Sequence, residues 1–251
     1  MKRTLSVLSV ILIALFLCGP CPSVSGASDV LRVGTESTFP PFVFRDQSGD
    51  LAGFEIDLLQ AIALRLDKEV RFMDMAFDAL LPSLSGGRID LIAAGLSITP
   101  ERLKRAAFSK PYFFSRDAIV VRIADKVPGK MDELAGKTVT VQVRTIQDDH
   151  LTSRGDVKVV RYERSGEALR AVLSGEADAA FMDGTAAERF LKDDEVLGTG
   201  LRISFSGRVT SDAMGLAVRK IDSDLLEQLN SAIDALSFEG YMEELRKKWF
   251  D

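Results

Sequence analysis

The fold of this chain is decided by the stretch Ala93-Ala94-Gly95-Leu96-Ser97-Ile98-Thr99-Pro100-Glu101-Arg102. It begins within an apolar run, residues 89–94, that has the length and composition of a buried strand. It ends in a helix start, because Thr99 is typical of an N-cap, Pro100 suits the first helical position and the acid after it suits the first turn. The stretch therefore predicts a strand that leads directly into a helix.

Backbone groups at such a junction are free to bind a ligand. Amides at a helix N-terminus attract an anion, and Arg102 can hold a carboxylate through two parallel hydrogen bonds. The Ser97 hydroxyl and the carbonyl of Ala94 or Gly95 can accept hydrogen bonds from an ammonium group beside it. Together these groups predict a site for a zwitterion, and the alternative is an ordinary turn that carries a solvated arginine.

The N-terminus has the features of a secretory signal peptide. Two basic residues precede an apolar stretch at 5–18, which is followed by small residues and is too short for a membrane anchor. Cleavage after residue 26 removes the segment 1–26 and, with it, both cysteines. Neither cysteine follows a small residue, which favours a soluble periplasmic protein without disulfides over a lipoprotein.

Composition excludes several classes of partner. Without the two basic residues of the signal peptide, 30 basic and 37 acidic residues remain, so the expected mature chain carries a net charge of −7. No basic run is present, which argues against nucleic acid or an anionic membrane as a partner. A single histidine and no cysteine in the mature chain argue against a metal site, and no cofactor is expected.

Strands and helices alternate in the first half of the chain. Apolar runs predict strands at 31–35, 70–73 and 89–94, and helical spacing predicts a helix at 54–66 and a shorter one capped by Asp78. This β-α-β-α-β order predicts a parallel sheet that binds ligands at the carboxyl ends of its strands.

A second unit of the same kind follows. Its predicted elements are a strand at 137–143, a helix at 145–151, a strand at 157–162, a helix at 165–174 that stops at a glycine, and a strand at 177–183. Because the same order of elements recurs, we expect two lobes of one α/β architecture.

The two lobes are expected to share a hinge of two strands. The chain is predicted to cross near residues 118–123 and to return near 213–219. The first lobe is then expected to comprise residues 27–119 and 214–251, and the second lobe residues 120–213. Both third strands would end at one cleft, which predicts a clamshell.

Short motifs along the whole expected mature chain carry a resemblance to a known family. The chain resembles the periplasmic polar-amino-acid-binding proteins of ABC importers, which are family 3 of the extracellular solute-binding proteins, and it looks most similar to arginine-binding members. This resemblance implies the type II periplasmic-binding-protein fold. The motifs are Gly34-Thr35-Glu36, Phe39-Pro40-Pro41-Phe42, Gly53-Phe54-Glu55-Ile56-Asp57-Leu58, Ser97 to Arg102, Phe108-Ser109-Lys110-Pro111-Tyr112, Val141-Gln142 through Gln147, and Lys248-Trp249-Phe250.

The resemblance also implies the roles of matched residues. Arg102 and nearby amides would hold the ligand carboxylate, Asp183 with Ser97 and a loop carbonyl would hold the ammonium, and aromatic rings would sandwich the side chain. The implied ligand-binding residues are Glu36, Phe39, Phe77, Ala94, Gly95, Ser97, Arg102, Gln142, Thr145, Gln147 and Asp183. Arg144 departs from the glycine usual in the family, and it is strained if this position has a positive φ.

Each implied role has a simpler alternative. Phe39 and Phe77 could be core residues, which is the commoner place for phenylalanine. Glu36 could be a solvated acid. Asp183 follows a strand and could instead cap the next helix.

The expected function is binding rather than catalysis. A monomer would capture a free L-amino acid, polar or basic with arginine favoured, and deliver it to the membrane permease of an ABC transporter. One alternative is an enzyme on the same fold, since cyclohexadienyl and arogenate dehydratases resemble these proteins. The other is a ligand sensor that docks to a chemoreceptor.

Overall fold

The computed structural model describes residues 29–126, 128–210 and 213–251. The predicted signal peptide, residues 1–26 with both cysteines, lies outside the described residues. Within the described ranges, none of the helices combines the length and the hydropathy needed to cross a bilayer.

The described chain contains fifteen strands and nine α-helices. The strands are β1 (Asp29–Thr35), β2 (Thr38–Phe39), β3 (Val43–Arg45), β4 (Leu51–Ala52), β5 (Lys68–Asp74), β6 (Leu91–Ile92), β7 (Ala107–Phe108), β8 (Phe113–Phe114), β9 (Asp117–Arg122), β10 (Thr138–Gln142), β11 (Lys158–Tyr162), β12 (Ala179–Asp183), β13 (Leu201–Gly207), β14 (Ala213–Met214) and β15 (Ala217–Val218). The helices are α1 (Phe54–Arg65), α2 (Phe77–Ser85), α3 (Pro100–Leu103), α4 (Ile146–Arg154), α5 (Ser165–Ser174), α6 (Gly184–Asp193), α7 (Glu195–Gly200), α8 (Ser223–Phe238) and α9 (Tyr241–Phe250).

Two five-stranded sheets share one plan. The first sheet has the order β5-β1-β6-β15-β7 and the second has the order β11-β10-β12-β9-β13. In each sheet the first three strands are parallel, as expected from the sequence, and the fourth strand is antiparallel to both of its neighbours. That fourth strand follows a crossing of the chain in both cases, so each lobe is completed by a segment that arrives from the other lobe.

A two-stranded ladder joins the lobes. Phe113 and Phe114 of β8 pair with Met214 and Ala213 of β14, and we call this pair of strands the connecting ladder. The sequence predicts that the chain crosses at 118–123, but residues 118–122 belong to β9, which pairs with two strands of the second sheet. The chain has therefore crossed before this run, at the connecting ladder. We therefore propose that the second lobe begins just before β9 rather than between residues 119 and 120.

Local sequence explains where the helices near the cleft begin and end. Thr99 caps α3 by accepting a hydrogen bond from the Arg102 amide at 3.2 Å, as predicted. Gly175, with φ +85°, ends α5 in the left-handed conformation that favours glycine. The prediction for α2 is wrong in detail, since the N-cap is Ala76 and Asp78 lies in the first turn, where its charge still favours the helix dipole.

The segment between β1 and α1, for which no strand is predicted from the sequence, contains regular structure. Its short strands β2, β3 and β4 pair into a separate antiparallel sheet. Strands of two or three residues are too short to show the alternation by which a strand is recognised in a sequence.

A cluster of aromatic rings packs where β2, the last helix and the connecting ladder meet. Phe42 is fully buried, stacks on Phe39 at 5.0 Å between centroids, and contacts Phe113 edge-on at 5.0 Å. Phe250, in the last helix, lies 5.4 Å from Phe42. This cluster holds the β2–β3 segment, the connecting ladder and the last helix together.

Replacing Phe42 with alanine is therefore expected to lower the free energy of unfolding by about 3–5 kcal/mol, because it leaves a cavity among these three rings and that of Phe54. Denaturant unfolding followed by circular dichroism measures this. The matched control is Phe238→Ala, whose side chain is 94% exposed; it should change stability by less than about 0.5 kcal/mol. Equal losses in the two variants would contradict this account of the core.

Candidate functional site: a cavity between the lobes

One cavity lies between the carboxyl ends of the two sets of parallel strands, and all eleven residues singled out in the sequence line it. From the first lobe come Glu36, Phe39, Phe77, Ala94, Gly95, Ser97 and Arg102, and from the second come Gln142, Thr145, Gln147 and Asp183. The cavity is also lined by residues that the sequence did not single out as ligand-binding, namely Ser115, Arg116, Asp117, Ile146, Ser165, Phe181, Met182 and Met214.

Arg102 is a buried cation that bridges the lobes. Only 7% of its surface is exposed, and its Nη1 donates to the Ser97 carbonyl at 2.9 Å. Its Nη2 reaches the second lobe and donates to the Arg144 carbonyl at 3.0 Å. Burial lowers the pKa of Arg102 to about 10, against the opposing attraction of Asp149. Its hydrogen-bond acceptors are thus neutral, and in the described part of the chain no carboxylate forms an ion pair with it.

The sequence predicts that Arg144 is strained if its φ is positive, and the structure has a positive φ at this residue. Its φ is +63°, a value that costs free energy for any residue with a side chain. Its amide donates to the Asp148 carboxylate at 3.0 Å, and Thr145, the N-cap of α4, accepts from the Asp148 amide at 3.2 Å. These bonds hold the turn, so the Arg144 carbonyl meets Arg102 and the N-terminus of α4 faces the cavity.

Asp183 fits both interpretations that the sequence left open, because it faces the cavity and also caps a helix. It lies at the end of β12 and lines the cavity, and its carboxylate also caps α6 by accepting from the Ala186 amide at 2.8 Å. Burial raises the pKa of Asp183 to about 6, although hydrogen bonds from Ser115 and the α6 amides oppose the shift. A carboxylate in this environment gains from the approach of a cation.

Glu36 is buried, so the alternative of a solvated acid is wrong. It is 5% exposed and accepts hydrogen bonds from the Thr38 amide, at 3.1 Å, and the Thr38 hydroxyl. Burial is the main cause of the raised pKa of Glu36, and the bonds from Thr38 and Gln142 oppose it. Gln142 is oriented by the second lobe, since its amide nitrogen donates to the Glu163 carbonyl at 3.0 Å and its oxygen accepts from Ser165 at 3.0 Å.

The aromatic residues of the cavity also belong partly to the core. Phe39 packs against the apolar cores of both lobes and still lines the cavity. Phe77 packs against the second core cluster of the first lobe, and its ring centroid is 5.6 Å from the guanidinium carbon of Arg102. Each ring therefore fits both the core interpretation and the cavity interpretation.

Asp117 is a cavity residue that the sequence did not single out. It is 3% exposed and accepts from Gln147 at 2.8 Å, from the Val209 amide at 2.9 Å and from the Thr210 amide at 2.7 Å. It pairs with Asp183 across neighbouring strands. An acid at the start of an apolar strand was the only sign of it in the sequence, because its partners are distant along the chain.

Acids outnumber bases among the charged groups that remain available to a ligand. Glu36, Asp117 and Asp183 line the cavity together with two arginines. Asp117 is already held by hydrogen bonds within its own lobe, which leaves Glu36 and Asp183. Arg116 donates to Ser206 at 2.7 Å and forms an ion pair with Glu188. Arg102 is then the cation left for a ligand within the described residues. The cavity can accept one anionic group and more than one cationic group.

Comparison with known proteins agrees with this geometry. Residues 31–251 match the family described as bacterial extracellular solute-binding proteins, family 3. ABC transporter arginine-binding protein 1 of Escherichia coli strain K12 is 31% identical over 231 residues, which cover 90% of this chain and 93% of that protein. The histidine-binding periplasmic protein of the same strain is 33% identical over 232 residues, which cover 88% of this chain and 87% of that protein.

A solved structure gives the same result for the fold. An ancestral arginine-binding protein bound to arginine superposes with a TM-score of 0.84 at 38% identity, covering 88% of this chain and 98% of that chain. Both relatives are binding proteins rather than enzymes, and the arginine-binding one is a protein of an ABC transporter. The chain therefore belongs to family 3 of the bacterial extracellular solute-binding proteins and has their type II periplasmic-binding-protein fold.

Proposed function

We propose that this protein captures a free L-α-amino acid, with arginine preferred, in the cavity between its lobes and delivers it to the permease of an ABC transporter. The observation that carries the proposal is the buried Arg102 guanidinium, which has neutral acceptors and no carboxylate partner within the described residues. A buried cation without a counter-ion is costly, and a ligand carboxylate removes that cost. In this proposal the protein acts as a monomer in the periplasm, after removal of the signal peptide.

The ammonium group of the ligand is assigned to Asp183, with the Ser97 hydroxyl and the carbonyls of Ala94 and Gly95. The raised pKa of Asp183 supports this role, because a carboxylate whose charge is poorly stabilised gains most from a nearby cation. The ligand carboxylate then lies between Arg102 and the N-terminus of α4, where amides and the helix dipole favour an anion.

The preference for arginine rests on the remaining groups of the cavity. Phe39 and Phe77 present flat apolar faces, on which a planar guanidinium stacks better than an ammonium. Glu36 is buried at the cavity wall and can form a charge-assisted hydrogen bond with a cationic side chain. The arginine-binding relatives support the same preference.

A ligand screen tests the proposal. The protein is unfolded, stripped of ligand, refolded and scanned by thermal shift against all the common amino acids. A ligand that binds only the native state raises the melting temperature with increasing concentration. The largest rise is expected with L-arginine, followed by lysine or ornithine, and then glutamine. A protein that no amino acid stabilises would contradict the proposal.

Arg102→Ala is expected to weaken arginine binding by about 2–5 kcal/mol, because it removes the charged partner of a buried ligand carboxylate. Isothermal titration calorimetry measures the change. Arg105→Ala is the matched control, since Arg105 is an exposed arginine three residues away and should leave affinity unchanged. Near wild-type affinity for Arg102→Ala would remove the basis of the proposed site.

Binding is expected to weaken in acid. Because the pKa of Asp183 is about 6, this carboxylate is mostly ionised at pH 7 and mostly protonated at pH 5. Only the ionised form pairs with an ammonium, so affinity should fall about tenfold between these two pH values. Titrations of wild type and Asp183→Asn at both pH values test this. Glu36, whose pKa is also raised, contributes equally to both proteins, so equal slopes in both would exclude Asp183 as the cause.

Glu36→Gln is expected to separate arginine from glutamine. Only arginine forms an ion pair with Glu36, so the variant should lose about 1.5–3 kcal/mol with arginine and much less with glutamine. Titration of both proteins with both ligands gives the difference directly. An equal loss for the two ligands would end the assignment of Glu36 to a cationic side chain and leave amino-acid binding in place.

A further inference from the structure

Glu55 is a buried carboxylate that none of the preceding roles explains. It lies in the first turn of α1, is fully buried and is not among the residues that line the cavity. The Gly95 amide donates to both of its oxygens, at 3.0 Å and 2.9 Å, and the Tyr112 hydroxyl donates to Oε1. Glu55 thus lies in the core of the first lobe, behind the cavity wall, and binds the backbone of a residue that lines the cavity.

The bond from Gly95 determines where the preceding carbonyl points. In a planar trans peptide the N–H of one residue and the C=O of the residue before it point in opposite directions. Because the Gly95 N–H points at Glu55, the Ala94 carbonyl points away from it, and both Ala94 and Gly95 line the cavity. Within the described residues, neither the Ala94 nor the Gly95 carbonyl oxygen accepts a hydrogen bond.

The backbone at Gly95 requires glycine. Its φ is +59°, and a Cβ there would lie 2.3 Å from Cε1 of Phe39. The Phe39 ring therefore packs against one side of Gly95, while Glu55 accepts the hydrogen bonds from its amide on another side. The peptide plane between Ala94 and Gly95 is kept in one orientation.

Glu55 also reaches the connecting ladder through Tyr112. This residue directly precedes β8, is 2% exposed and donates from its amide to the Met214 carbonyl at 3.1 Å. The cavity loop, residues 94–98, is bonded to β14 and to the residue after it, since the Ile98 amide donates to the Ala213 carbonyl at 2.8 Å and the Gly215 amide donates to the Leu96 carbonyl at 3.1 Å. The carboxylate, the cavity loop and the connecting ladder thus form a closed ring of hydrogen bonds.

We propose that Glu55 is a positioning residue that directs the Ala94 carbonyl into the cavity, towards a ligand ammonium, and couples the cavity loop to the connecting ladder. The part that concerns the ammonium rests on the proposed function, whereas the coupling does not. Burial raises the pKa of Glu55 to about 7, and Tyr112 is the titratable group that contacts it within the described residues. A carboxylate is an expensive group to bury in a core, and the strong hydrogen bonds it forms to the loop and the ladder account for its presence.

Amide hydrogen exchange of the ligand-free protein tests the coupling. Glu55→Met removes the acceptor at similar volume, and it should speed exchange at Gly95, Ile98 and Gly215 together by about tenfold or more. The second sheet should keep its wild-type rates. Glu55→Gln retains an acceptor oxygen and should restore most of the protection.

The matched control is Asp57→Asn, which removes the other acid from the first turn of α1. Asp57 accepts from Lys248 and Trp249, both at 2.7 Å, so this variant should leave the cavity loop unchanged. Faster exchange at Gly95 alone, or an equal increase throughout the chain, would overturn the coupling. If Glu55→Met does not fold, Tyr112→Phe removes the hydrogen bond from the Tyr112 hydroxyl to Glu55, which links the carboxylate to the connecting ladder. Its exchange rates are then interpreted by the same criteria.

Calorimetry tests the orientation of the carbonyl with two ligands, L-arginine and 5-guanidinopentanoic acid, which lacks only the α-amino group. Glu55→Met should reduce the preference of the protein for arginine over this analogue by about tenfold, and Glu55→Gln should restore it. Equal losses for both ligands would overturn the positioning role. A wild type that binds no arginine would contradict the proposed function, and the exchange measurement would still decide the coupling.

Discussion

The buried guanidinium of Arg102 is the interaction on which the arrangement of this cavity depends. It donates to the Ser97 carbonyl in one lobe and to the Arg144 carbonyl in the other. The Arg102 amide donates to Thr99, which caps α3, and the Arg144 amide donates to Asp148, which holds the strained turn where the Arg144 carbonyl meets Arg102. The polar wall of the cavity is therefore organised around one positive charge that forms no ion pair with a carboxylate of the described residues.

Patterns short enough to lie within one element made most of the fold predictable. The strand-to-helix stretch that ends at Arg102, the helix that ends at Gly175 and the two repeated β-α units all follow from caps, periodicity and glycine. Likewise, the predicted site residues came from motifs that are local in the sequence. Asp117 could not be found in this way, and Glu55, although it belongs to one of these motifs, could not be given a role, because the partners of both residues lie far away along the chain and only folding brings them close.

The acids of the cavity differ in how they are stabilised. Asp117 accepts several hydrogen bonds from its own lobe and acts as a structural link between Gln147 and the segment that leads back to the first lobe. Glu36 and Asp183 also accept protein hydrogen bonds, yet burial still raises the pKa of both. Incomplete stabilisation leaves these two acids with the most to gain from a cation, so the same burial that disfavours their charge favours a ligand that neutralises it.

The fourth strand of each sheet has a consequence for how the chain folds. In the first sheet, β15 lies between β6 and β7 and is more than a hundred residues later in the chain. During synthesis, the first strands of this lobe are made early. Its sheet cannot be completed until almost the entire polypeptide has been made, because β15 comes so late in the chain. Long-range pairing of this kind slows folding, since the loop must close before the contact forms. Late completion of the first sheet suits a family of extracellular proteins, because a chain that is not yet folded can still be translocated.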